Sequence, residues 1–182
     1  WSSAVCSSDL IQSLPARDAL RSLALAGLVR LEPNRGAAVP IPRAADVIDT
    51  YAARRALGTL IIERTCESSR RDLAGADAAL ADMLQIAEMG DARATGDADV
   101  RFQDQLATAT EMRHVPEMFK ALSSQILLFT AVLGLKYVYS IPEMVRDNVQ
   151  ILTAVHRRQN GVAVEAWHAK MDAAMTFMTT HL

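Results

Sequence analysis

Apolar residues recur at three- and four-residue spacing along most of this chain, a period that predicts helices. The first such stretch is short, residues 14–26. Ala16, Leu20, Leu23 and Ala24 form its apolar stripe, Pro15 suits its first turn, and Gly27 follows as a stop. The pattern then breaks. Leu28-Val29-Arg30-Leu31 and Ala37-Ala38-Val39 read as short strands, and Pro33-Asn34-Arg35-Gly36 between them is turn chemistry, so a β-hairpin is expected. Pro40 and Pro42 mark a linker. From Ala44 onward only helical spacing remains. Helices are expected over about 44–67, 71–88, 94–112 and 116–139, with Gly90 ending the second. Ser140-Ile141-Pro142-Glu143 has the form of a capping box with Pro inside it, and it predicts a fifth helix to near Gln159. Asn160-Gly161 is a tight connection to a sixth, which runs from Val162 to the end. Helices joined by such short loops imply an antiparallel six-helix bundle.

Composition fits a mainly α chain. Of 182 residues, 51% are apolar and only 5% aromatic, so Ala and aliphatic side chains must fill the core. A formal net charge of −2 gives no global basic field, so any surface for nucleic acid has to be local. The two cysteines, Cys6 and Cys66, build neither a disulfide framework nor a metal spacing, which suits a reducing cytoplasm. The longest apolar run, 126–138, is interrupted by Thr130, Gly134 and Lys136 and reads as a buried helix rather than a membrane span. Residues 1–10, WSSAVCSSDL, lack the positive start and apolar centre of a signal peptide. They resemble a translated sequencing adapter fused to an open reading frame. A non-native leader is therefore expected, with native sequence from near Ile11, and Cys6 is set aside with it.

Polar residues interrupt three of the apolar stripes. In the third bundle helix Asp99 and Gln103 share a face with Phe102, Leu106 and Ala109. In the fifth, Asn148 lies among Met144, Ile151, Leu152 and Val155. In the sixth, Lys170 lies among Ala163, Trp167, Ala174, Phe177 and Met178. The last two helices turn near Gln159, so facing residues have numbers summing to about 318, which sets Asn148 against Lys170. Buried polar groups are costly unless paired or serving a ligand. Two readings stay open: a self-satisfied polar plug, or the lining of a ligand cavity.

Residues 14–39, from Leu14-Pro15-Ala16-Arg17-Asp18-Ala19-Leu20 through Gly27-Leu28-Val29 to Pro33-Asn34-Arg35-Gly36-Ala37-Ala38-Val39, resemble the rear of the winged helix in GntR-type transcription regulators. The family pattern there is TPVREAL, EGLV and a wing of the type PNRGAFV. Tyr51-Ala52-Ala53-Arg54-Arg55-Ala56-Leu57 is similar to the opening helix of the effector domain in the FadR subfamily, and the similarity runs to the chain end. The resemblance implies a dimeric regulator with a recognition helix in the major groove of an operator duplex and a wing at the minor groove. It gives residues 11–42 as a partial winged helix-turn-helix, recognition helix plus β-hairpin wing, and 43–182 as an all-helical domain for effector binding and dimerisation. Two earlier helices of the family's head have no counterpart. By position it assigns Ser13, Arg17, Arg30, Asn34, Arg35 and Gly36 to DNA; the plainer reading is a solvated basic face.

Many members of the subfamily hold a divalent metal with Asp-x-x-x-His on one helix and a His on each of the last two. Asp99 stands at the Asp position, but Gln103, Asn148 and Lys170 stand at the three His positions. The resemblance therefore carries over no metal and no other cofactor. What it implies is a small organic or sugar acid as effector; the inward position of a basic residue among the polar ones then makes Lys170 the expected main anion contact, with Asp99, Gln103 and Asn148 around it. Arg54 matches an arginine kept near the pocket, or serves a salt bridge between helices. Two other readings compete. Glu111-x-x-His114 and Glu165-x-x-His168 are the pairs a di-iron enzyme would use in a bundle, although His114 precedes Val115-Pro116 and His168 lies off the inward stripe. A ligand-free interaction bundle is the other. No nucleophile elbow, phosphate loop or dinucleotide fingerprint supports an enzyme.

Overall fold

A computed structural model of the chain describes residues 14–33, 35–135 and 140–182. The chain divides into two units at Ile41/Pro42. The first unit holds helix α1 (Leu14–Leu25) and strands β1 (Arg30–Glu32) and β2 (Gly36–Ala38). Helix α1 closes with paired reverse bonds: Leu28 N–H donates to the Leu23 carbonyl at 2.9 Å and Gly27 N–H to that of Ala24 at 3.0 Å. This closure needs a left-handed residue, and Gly27 supplies it at φ 72°. The strands pair antiparallel with Leu31 opposite Ala37. The hairpin is thus where the pattern placed it, with both strands shifted by a residue or two.

The second unit contains six helices among the described residues: α2 (Ala44–Glu67), α3 (Ala74–Glu88), α4 (Ala92–Thr108), α5 (Val115–Val132), α6 (Ile141–His156) and α7 (Asn160–Thr180). They pack as a closed ring in the order α2, α7, α6, α3, α4, α5 and back to α2. The core at its centre is apolar, with Ile61, Met83, Phe102, Phe119, Met144, Ile151, Trp167 and Met178 essentially sealed from solvent. No helix is long and apolar enough to cross a membrane among the described residues.

Several boundaries differ from the periodicity for local reasons. Helix α4 starts at Ala92 rather than 94 because Asp91 caps it, accepting from the Ala94 N–H at 3.0 Å. Helix α3 starts at Ala74 rather than 71. The Arg71 guanidinium instead holds the end of α6, donating to the Val155 and His156 carbonyls at 3.0 and 2.9 Å. Helix α5 stops at Val132, short of the expected 139, because Gly134 takes φ 64°. Ser140 is the N-cap of α6, as its motif predicts, but its hydroxyl meets the Glu143 carboxylate at 2.6 Å and not a backbone N–H. The turn between α6 and α7 falls on Arg157–Gln159, with Arg158 at φ 56°, rather than on Asn160-Gly161. The Arg158 side chain donates to the Cys66 carbonyl at 2.6 Å, which anchors that turn to the end of α2.

The α2–α7 contact is close-packed at one point. Gly58 lies under the indole of Trp167, and a Cβ there would overlap the ring. The indole N–H donates to the Arg55 carbonyl at 3.1 Å and the ring tilts against Phe119. Gly58→Ala should therefore destabilise the bundle by roughly 1–3 kcal/mol through overpacking, despite the better helix propensity of Ala. Chemical denaturation measures this, and a stabilised variant would contradict the close contact.

Candidate functional site: a charge-paired cavity inside the helical ring

Three helices bring their polar residues to one place because each sits on an inward stripe. Asp99 and Gln103 are one turn apart on α4, Asn148 is on α6 and Lys170 on α7; all are 5% exposed or less. Lys170 Nζ lies 2.9 Å from Asp99 Oδ1. Asn148 Nδ2 donates to that same oxygen at 2.6 Å and also faces Met83 Sδ at 3.1 Å. The expected opposition of Asn148 and Lys170 is thus realised through a shared carboxylate. The Asn148 amide oxygen is buried and has no hydrogen-bond partner among the described residues.

A second chain of bonds lies beside the first. Arg54 of α2 is 2% exposed. Its guanidinium donates to Gln103 Oε1 at 2.5 Å and to Ser123 Oγ at 2.6 Å, and it lies 4.2 Å from the centre of the Phe119 ring. Ser123 in turn donates to Asp104 Oδ1 at 2.5 Å. Burial raises the Asp104 carboxyl above its ordinary value, against the opposing pull of the Ser123 bond and the Arg54 charge. Burial also raises the Tyr51 hydroxyl well above the usual range; Arg54 opposes this and Asp99 adds to it.

These groups floor a cavity of about 550 Å³. Tyr51, Arg54, Asp99, Gln103 and Lys170 line its inner part, and Ile126, Leu127 and Leu135 form an apolar wall. Arg93 and Arg101, both exposed on α4, line its mouth with Asp97. Five residues singled out in the sequence thus converge, although Asn148 reaches the floor only through Asp99. Tyr51, Ser123, Asp104 and the mouth arginines were not anticipated. Tyr51 is one turn before Arg54 and could have been found by that spacing. Ser123 carries no charge and gives no such signal.

The donor set does not suit a divalent metal. Asp99 Oδ1 is taken by an ammonium and an amide N–H, and the ammonium stands where a third ligand would be needed. Among the described residues no group of three or more His, Cys, Asp and Glu side chains could hold a metal ion. His168 is engaged with Thr59 Oγ1 at 2.8 Å, away from the cavity lining.

On the first unit, Arg17, Arg30 and Arg35 are exposed and Gly36 takes φ 85° at the hairpin turn. Arg30 pairs with Glu32 at 3.2 Å along its own strand. Ser13 and Asn34 lie outside the described residues.

The FCD domain family matches residues 49–173. The chain belongs to that family. Solved structures with the same architecture include a GntR transcriptional regulator from Rhodococcus sp. RHA1, at 22% identity and TM-score 0.77, over 90% of this chain and 78% of that one. A GntR family member from Pseudomonas syringae pv. tomato is similar at 24% identity and TM-score 0.60, over 92% and 69%. McbR/YncC of E. coli is similar at 16% identity and TM-score 0.79, over 92% and 85%. None of the curated proteins matches the sequence. The fold is therefore that of GntR-type regulators, with the FCD domain formed by the helical ring.

The buried pair gives a direct test of the floor. Lys170→Met leaves the buried Asp99 carboxylate without its ammonium and should cost about 3–5 kcal/mol of stability. Removing both charges in Asp99→Asn/Lys170→Met should recover most of that loss. Urea denaturation of the two variants decides it, and a single variant as stable as the double would show that the pair does not hold the floor together.

Proposed function

We propose that this chain is the sensing part of a dimeric transcription regulator, with a small organic or sugar acid as effector and no metal in the site. The observation that carries the reading is the cavity itself. An FCD-domain ring encloses about 550 Å³ with Arg54, Gln103, Asp99 and Lys170 at its floor. A self-satisfied plug needs no such space, and pockets of this size with a few convergent polar groups suit small ligands. In this reading Lys170 occupies the place a metal would take and orients the ligand with Arg54 and Gln103, while Asn148 steadies Asp99. Ligand binding shifts the populations of the ring's conformations and through them the DNA-binding heads.

The proposal is checked by thermal-shift and calorimetric screening of carboxylic acids, with and without chelator. Binding by at least one acid, unchanged by chelator and weakened at least tenfold in Asp99→Asn/Lys170→Met, is the expected result. Stoichiometric metal in the purified protein, or acid binding abolished by chelator, would overturn the metal-free reading.

For DNA, the exposed Arg17 on α1 and the exposed arginines of the hairpin support contact with a duplex, Arg17 by base edge or phosphate in the major groove. Joined to a complete winged-helix head, Arg17→Ala should weaken operator binding by roughly 1–3 kcal/mol. Titration by fluorescence anisotropy at fixed salt measures the change, and unaltered affinity would remove Arg17 from the interface.

A further inference from the structure

Which way round an acid lies in this cavity depends on where its charge is uncompensated. Among the described lining residues four are cationic, Arg54, Arg93, Arg101 and Lys170, and three are anionic, Asp97, Asp99 and Asp104. They are not evenly spread. At the floor Lys170 pairs with Asp99 at 2.9 Å. Arg54 is linked to Asp104 through Ser123, and its charge is felt at that carboxyl. The floor therefore holds two positive and two negative groups and is formally neutral. A divalent ion on Asp99 would leave a surplus positive charge there; an ammonium on Asp99 leaves none.

The surplus is at the mouth. Arg93, Asp97 and Arg101 follow one another at four-residue spacing on a single stripe of α4. Arg93 and Arg101 are exposed, and neither forms an ion pair with any described residue. A carboxylate driven to the floor would add a buried negative charge with no cation left to meet it, whereas at the mouth it meets the guanidinium groups in a part-solvated setting. The floor, by contrast, offers both donors and acceptors, as hydroxyl or amide groups require.

We infer that the effector is a monocarboxylate whose far end carries neutral hydrogen-bonding groups. Its carboxylate sits at the mouth on Arg93 and Arg101, and its hydroxyl or amide end sits against Lys170, Asp99 and Gln103. The apolar wall of α5 lies along the carbon chain between. A second carboxylate at the far end is disfavoured, and so is a bare alkyl end. This inference rests on the acid-sensing reading and adds the orientation and the class.

The test is calorimetry on the full chain with three six-carbon probes. Gluconate has one carboxylate and a hydroxylated end, glucarate a carboxylate at each end, and hexanoate no hydroxyl. Gluconate should bind at least tenfold more tightly than the other two. Arg93→Gln/Arg101→Gln should weaken it at least tenfold and remove most of its salt dependence. Asp104→Asn keeps an acceptor for Ser123 and leaves the floor with surplus positive charge, so glucarate should gain on gluconate. Glucarate or hexanoate binding as tightly as gluconate would overturn the inference, and so would a mouth variant with unchanged affinity. If the floor variant Asp99→Asn/Lys170→Met loses gluconate while the mouth variant does not, the acid-sensing reading stands and the orientation falls. If no acid binds in this or the wider screen, both fall together.

Discussion

The buried contact between Lys170 and Asp99 is the constraint on which the rest of the second unit is arranged. A charge removed from water is stable only where an opposite charge and good hydrogen bonds meet it. The pair spans α7 and α4, which are not neighbours in the ring, and Asn148 brings α6 to the same carboxylate oxygen. Three helices are thus fixed in depth and rotation by one oxygen atom. A purely aliphatic core could slide by a fraction of a turn at little cost; this one cannot. Specificity of packing is a better account of such a pair than net stability.

The second polar chain has a different character. Arg54 spends its donors on neutral acceptors, Gln103 and Ser123, and stacks on Phe119. Through Ser123 its charge is also linked to Asp104. Such a cation is held in place by several partners at once, and a ligand oxygen could replace either neutral acceptor. The Asn148 amide oxygen is the one buried polar atom of the polar floor without a partner among the described residues. An unmatched acceptor there weakens the case for a fully self-satisfied plug.

Much of this was legible in the sequence, and the reasons are specific. The period-3.6 stripes located every helix of the ring, because a helix must bury one face and the residues that do so are evenly spaced. Polar residues on those stripes located the floor for the same reason: Asp99, Gln103, Asn148 and Lys170 had nowhere to point but inward. The α6–α7 register worked because a tight turn fixes which residues face each other. Helix ends were less legible. Arg71 and Asp91 act through bonds to specific backbone atoms, one of them on a distant helix, and no periodicity reports that. Ser123 and Asp104 were missed because their roles exist only once α4 and α5 are side by side. The neutrality of the floor was also hidden, since it depends on which cation meets which carboxylate rather than on the residues present.

Helix α2 has one further property. Its first residue, Ala44, follows directly on the segment that leaves the β-hairpin, and Arg54 lies ten residues along it. At 1.5 Å per residue the two are about 15 Å apart on a stiff rod. The close seat of Gly58 beneath Trp167, one turn beyond Arg54, is a natural fulcrum for that rod. A tilt of about 5° there would carry Ala44 by about 1.8 Å over the roughly 21 Å between them. A sub-ångström adjustment around the Arg54 guanidinium is in this way geared up at the point where the chain passes to the hairpin, with no need for the ring itself to open.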